Sequence, residues 1–180
     1  MSMGRLDAVA ALDRPDLLAP SVAKALANDD GTLPAAEVGV AEIDPDLADT
    51  AAFCEQYGVS LDVSANCVVV TGKRDGEARF AACVILATTR ADVNGVVRRR
   101  LDARKASFAP MDDAVALTGM EYGGITPIGL PADWPVLIDR AVLDRSMVVI
   151  GSGLRRSKVA LPPAVLATLP AAEVVDGLAG

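Results

Sequence analysis

Residues 66–87 read Asn-Cys-Val-Val-Val-Thr-Gly-Lys-Arg-Asp-Gly-Glu-Ala-Arg-Phe-Ala-Ala-Cys-Val-Ile-Leu-Ala. Asn66 to Thr71 is a β-branched run and Gly72 to Gly76 a polar turn. Ala78 to Ala87 is a second apolar run. Two such runs around a Gly-bounded turn predict a β-hairpin. Strands apolar on every position predict burial on both faces, hence a central place in the sheet.

Outward from the hairpin, elements of both kinds follow without a regular βαβ rhythm. Upstream, residues 1–34 are rich in Ala, Asp and Pro and predict one or two short helices, such as Pro20 to Asn28, laid on the main body. Val38 to Ile43 alternates as a short strand. Asp44-Pro45 reads as an N-cap followed by proline at the first helical position. That predicts one helix running to Tyr57 and stopped by Gly58. Downstream, Asp92 to Arg100 predicts a helix with arginines at its C-terminal end. Pro110 to Leu117 predicts another, closed by Gly119. Strands are expected near Val136 to Ile138, Met147 to Ile150, Lys158 to Leu161 and Glu173 to Val175. A turn of helix is expected at Ala141 to Leu143 and a helix after Pro162-Pro163. The pattern favours an α+β fold on a mixed or antiparallel sheet. A chain of 180 residues is the size of a single domain.

Composition excludes much chemistry. There is no histidine, so Ser-His-Asp and Cys-His nucleophile pairs and HExxH zinc sites are impossible. No cluster at metal-ligand spacing replaces them, and no metal or cofactor is expected. Cys54, Cys67 and Cys83 form no CxxC pair and read as buried small hydrophobes, with Cys67 the one to watch. The longest uncharged apolar run, Phe80 to Thr89, is too short to span a bilayer as a helix. The N-terminus lacks a signal-peptide pattern. Both point to a cytoplasmic protein without membrane contact. Net charge is −7, against indiscriminate nucleic-acid binding. Residues 90–105 nevertheless hold six basic and two acidic side chains. Arg98, Arg99, Arg100, Arg104 and Lys105 are either a phosphate-contacting face or a solvated one. Aromatic residues are 3% of the chain, which argues against a base-stacking platform.

Two further segments could carry chemistry. Gly123-Gly124-Ile125-Thr126-Pro127-Ile128-Gly129 is a rigid loop that either presents N–H groups to an anion or carbonyl or is a plain turn. Gly151-Ser152-Gly153-Leu154-Arg155-Arg156 breaks a strand and leads into basic residues. It is either an anion site or a hairpin turn with solvated charges.

Taken in order, Asn66 to Val70, Ala82 to Ala87, Thr118 to Leu130, Val148 to Arg156 and Ala172 to Asp176 resemble the YbaK/prolyl-tRNA-synthetase-insertion family of editing domains. The resemblance covers roughly residues 50–178, with residues 1–49 as an N-terminal helical extension and strand. It implies a mixed, partly barrel-like β-sheet flanked by helices. It implies hydrolysis of mischarged aminoacyl-tRNA, often on tRNA for proline. The partners implied are the aminoacyl-tRNA acceptor end and an aminoacyl-tRNA synthetase. On this resemblance Asn66, Gly123 and Thr126 are the expected catalytic positions. Gly124, Ile125, Pro127, Gly129, Gly151, Ser152 and Gly153 are expected to bind substrate. Arg98, Arg99, Arg100, Arg104 and Lys105, with Arg155 and Arg156, are expected to dock tRNA.

The family commonly opens this strand with Lys-Thr, and here it reads Asn66-Cys67. A neutral amide in place of an ammonium forfeits a charge-assisted bond, worth on the order of 2–4 kcal/mol at a transition state. The alternative to a deacylase is therefore a catalytically impaired protein that binds aminoacyl-tRNA or a small ligand. The mechanism implied needs no protein nucleophile: a ribose hydroxyl of the terminal adenosine orients the water and loop amides hold the oxyanion.

Overall fold

The computed structural model describes residues 2–28 and 32–180. The parts of the N-terminal expectation that fall on Met1 and on residues 29–31 lie outside these. The chain lays down β1 (Ser2–Met3), β2 (Leu6–Asp7) and β3 (Val9–Ala10), then α1 (Pro20–Leu26), β4 (Gly39–Glu42) and α2 (Thr50–Tyr57). The hairpin follows as β5 (Ala65–Arg74) and β6 (Glu77–Leu86). After it come α3 (Arg98–Arg100), β7 (Lys105–Phe108), α4 (Met111–Thr118), β8 (Val136–Asp139) and α5 (Arg140–Leu143). β9 (Val148–Gly151), β10 (Ser157–Leu161) and β11 (Ala172–Val175) complete the sheets.

β5 and β6 pair antiparallel from Ala65↔Leu86 to Arg74↔Glu77. The turn is only Asp75-Gly76, both at positive φ (52° and 89°), the geometry that matches the twist of a two-residue hairpin. Gly72, expected in the turn, lies inside β5. A Cβ there would come within 2.6 Å of the Ala103 methyl, so the glycine admits a neighbouring segment rather than bending the strand.

The hairpin centres a five-stranded sheet of order β11-β8-β6-β5-β7. β8 runs parallel to both β6 and β11, whereas β5 is antiparallel to β6 and β7, so the sheet is mixed. A second sheet, β3-β4-β10-β9, is antiparallel throughout. The two meet where Ser64 forms a parallel bridge with Val149. β6 is buried from Ala81 to Leu86 and its side chains alternate between two cores. Ala81, Cys83 and Ile85 pack with Val93, Val97, Leu137 and Leu178. Val84 and Leu86 pack with Leu17, Val22, Ile150 and Leu166. Among the described residues no helix is long and apolar enough to cross a membrane.

Three expectations need adjustment. The helix expected from Pro45 to Tyr57 is a 3₁₀ turn over Pro45–Leu47 followed by α2. Asp44 does cap the turn, accepting from the Asp46 N–H at 2.9 Å. The Ala48 carbonyl at the break, however, accepts from Lys158 Nζ at 2.9 Å. Residues 93–97 form a π-turn, capped by Asp92, before the single α-turn of α3. The N-terminal segment is not merely laid on the body, since Leu17, Leu18, Ala19, Val22 and Leu26 are core residues.

The two glycine loops pack backbone on backbone. Gly153 N–H donates to the Gly124 carbonyl at 2.7 Å. A Cβ on Gly151 would lie 2.3 Å from the same oxygen, and one on Gly124 would lie 2.6 Å from the Leu154 carbonyl. Gly151→Ala therefore overpacks two backbones that have nowhere to move. We expect it to lower unfolding free energy by about 1–3 kcal/mol, read from urea titrations. Gly177→Ala, whose Cβ meets nothing within 4 Å although φ is +68°, should cost less.

Candidate active site

A cleft of about 320 Å³ opens where α2, β5, β7, the 122–125 loop and the ends of β9 and β10 converge, a volume suited to a small ligand. β5 enters through Ala65 to Val69, and Ser64 beside it is fixed by the Val149 bridge. α2 contributes Thr50 and Phe53 from its first turn. Its end is set by Gly58, in the left-handed conformation at φ 65°.

Asn66 lines the cleft and is half-buried. Its Oδ1 accepts from Thr50 Oγ1 at 2.8 Å. The side-chain NH₂ is left as a neutral donor toward the cleft. Gly123, Ile125 and Gly151 also line it, so three separated segments meet as the sequence suggested. The backbone N–H groups of Gly123 and Ile125, both lining residues, donate to no described residue.

Other expected site residues lie elsewhere. Thr126 is fully buried outside the cleft lining, and its hydroxyl finds no partner among the described residues. Its N–H points at Met120 Sδ, 3.5 Å away. Ser152 is also fully buried, and its hydroxyl is spent on Ser157 Oγ at 2.7 Å and on its own loop. Ser157 Oγ in turn donates to the Leu17 carbonyl, so Ser152 ties the loop to the N-terminal segment. Gly124 and Gly153 serve the contact between loops. Gly153 packs on Ala19, whose methyl would lie 2.3 Å from a Cβ. Pro127 and Gly129 face a separate cavity of about 170 Å³ beside α1. Alternation and glycine content mark loops, but not which side of a loop faces the ligand.

The basic residues divide. Arg155 lies over the cleft rim, where its Nη1 would be 2.6 Å from a Cβ on Gly123. It donates to the Tyr122 and Pro45 carbonyls at 3.3 and 3.0 Å. Arg156 donates to the Asp16 carbonyl. Arg100 is paired with Glu173, Arg104 with Asp75, and Arg98 is turned onto the Asn94 carbonyl. Lys105 sits opposite Lys73 at the far end of β5, seven residues and so about 23 Å from Asn66. Lys73 is exposed there, away from the cleft.

The structure adds residues that pattern reading missed. Phe108 and Tyr122, 58% and 56% exposed, flank the cleft. Two of the few aromatics thus stand exposed at the cleft lining. Lys158 lines the cleft from β10, 7% exposed. Burial holds its ammonium below the ordinary value, while Cys54 and Asp49 oppose that shift and Arg155 adds to it. A lysine inside an apolar strand was the available signal.

Cys67 lines the cleft but is no nucleophile in waiting, because burial pushes its thiol up and Cys83 adds to the shift. Burial alone raises Cys83 to about 12. Both hold their protons above the ordinary value of 9.0 in the folded state. Their contribution to stability is complete below that pH and is lost as pH rises through the folded values. Iodoacetamide at pH 8 should alkylate Cys67 and Cys83 far more slowly than free cysteine. Mass spectrometry before and after urea unfolding reads the difference.

A family model for the aminoacyl-tRNA editing domain matches residues 44–169. Among solved structures, the chain is similar to a protein described as a candidate trans-editing enzyme for prolyl tRNA synthetase. The TM-score is 0.71 at 21% identity, over 88% of this chain and 97% of that one. It is also similar to the hypothetical protein APE2540, with TM-score 0.68 at 23% identity over 78% and 90%. A scaffold used for computational epitope grafting matches at TM-score 0.69 and 22% identity over 88% and 97%. These likenesses show the shared mixed-sheet fold, and the family model spans every segment of the cleft from α2 to β10. The chain belongs to the aminoacyl-tRNA editing domain family.

Proposed function

We propose that this editing domain acts in trans as a deacylase that removes the wrong amino acid from mischarged tRNA, with tRNA for proline as its substrate. The observation that supports this best is the meeting of Asn66 with the unbonded amides of Gly123 and Ile125 in one cleft. Ester hydrolysis needs donors where the carbonyl oxygen gains charge. On this reading the two amides hold that oxygen and Asn66 orients the terminal ribose. A free ribose hydroxyl directs the water, so the absence of histidine is no obstacle. The protein works in the cytoplasm, alone or beside a synthetase. Phosphate contacts come from Arg99 and Lys105, which pair with no described residue, and from Arg155 at the rim. A second reading, a binder that no longer turns substrate over, is favoured by the neutral Asn66 itself.

The test is single-turnover hydrolysis of alanyl- and cysteinyl-tRNA for proline. Wild type should exceed the uncatalysed rate, and Asn66→Ala should be about tenfold slower, the worth of one neutral hydrogen bond. Binding of charged tRNA without turnover would establish the second reading instead. Replacing Arg99 and Lys105 together by Ala should reduce the slope of log affinity against log salt by about two. An unchanged slope would leave them as solvated charges.

A further inference from the structure

Lys158 is the cation of the cleft. It lies on β10 opposite Gly151, between β4 and β9, and is 7% exposed. Its Nζ donates to the Ala48 carbonyl at 2.9 Å and sits 5.2 Å from the centre of the Phe53 ring. No carboxylate among the described residues lies within 4.0 Å of it. An ammonium has three donors, and one is used. Asp49, also in the cleft lining, favours the charged form from beyond ion-pair distance, but a buried charge without a directly paired counter-ion still costs several kcal/mol. A strand position that needed only to be filled would be occupied more cheaply by methionine or leucine. The charge is therefore retained against its cost, in a wall that also holds Asn66, Thr50 and Gly123.

We propose that Lys158 is a catalytic residue of the editing reaction, its free donors directed at the ester carbonyl oxygen of the aminoacyl group. The inference rests on the deacylase reading. In the reaction, water oxygen bonds to the ester carbon and the bond from that carbon to the ribose oxygen breaks. One water proton ends on the ribose oxygen, and the released carboxyl group ionises to solvent. Negative charge passes through the carbonyl oxygen on the way. A fixed cation in a water-poor wall lowers that charge's energy more than an exposed one could. The ammonium is held ready because Ala48, at the break before α2, gives it a fixed acceptor. The neutral Asn66 then leaves the cleft with its positive charge supplied from β10.

The test compares wild type, Lys158→Met and the double variant Lys158→Met/Asn66→Lys in single-turnover hydrolysis of alanyl- and cysteinyl-tRNA for proline. Lys158→Met should lower the saturating rate by about a hundredfold, with half-saturating concentration and thermal midpoint little changed. A lysine from position 66 enters the same cleft, so the double variant should recover at least tenfold of the loss. A Lys158→Met rate within about threefold of wild type overturns the proposal. So does a loss that follows a lowered thermal midpoint and is not recovered by Asn66→Lys, since Lys158 would then merely tie down Ala48. If Lys158→Met does not fold, Lys158→Gln is measured in the same way, and failure of both to fold also overturns it. Wild type inactive on both tRNAs would mean that the deacylase reading has failed. Lys158 is then judged on binding of 3′-alanylamino-3′-deoxyadenosine, whose amide replaces the ester. An affinity at least tenfold weaker in Lys158→Met supports its contact with the carbonyl. Equal affinity, or no binding by either protein, overturns it.

Discussion

The carbonyl of Gly124, sandwiched between the backbone of Gly151 and the N–H of Gly153, is the contact on which the site depends. It brings together two loops separated in the sequence by β8, α5 and the body of β9. Side chains could not make this join, because any Cβ at Gly124 or Gly151 would occupy the space of the opposing backbone. Once the loops are locked, Gly123 and Ile125 are presented along one wall and β10 is aimed across it. Ser152 and Ser157 then extend the lock to the carbonyl of Leu17. A fully bonded buried network of this kind resists sliding, since any shift strands a polar group.

The opposite wall depends on a break. Without the turn at Pro45–Leu47, the segment from Asp44 would present a continuous helix, with the Ala48 carbonyl engaged four residues on. The break frees that carbonyl for Lys158, turns Thr50 toward Asn66, and starts α2 at the cleft edge. One lysine from the second sheet thus shapes an element that packs beside the first, and the cleft lies between them.

How much of this was legible follows from range. The hairpin could be read because its pairing is local: two apolar runs and a turn decide it, and Ala65 to Leu86 pair in the register they imply. Gly58 and Gly119 stopped their helices for the same reason, each in the left-handed conformation at the helix end. β7 escaped notice because Lys-Ala-Ser-Phe at a sheet edge is mostly exposed and carries no alternation. The continuous helix from Pro45 failed because the partner of Ala48 is 110 residues away. Thr126 and Ser152 were named because the resemblance placed them in the two glycine loops, and a loop's composition cannot orient its side chains. Asn66, Gly123, Ile125 and Gly151, named on the same resemblance, do line the cleft, at a strand start and in the loops that meet there.

The tie from Ser157 to Leu17 separates two boundaries that are easily confused. The family match begins at Asp44, yet the layer beneath the glycine loops is made of Leu17, Ala19 and Val22. β4, the neighbour of β10 in the sheet, also precedes that point. A fragment cut at Asp44 would strip β10 of one partner strand and uncover the apolar underside of the cleft wall. The stretch that the family model matches is thus smaller than the stretch that builds the core. Ahead of Asp44 the difference includes β4 and α1, and without β4 the matched part would offer an open β10 edge to its neighbours.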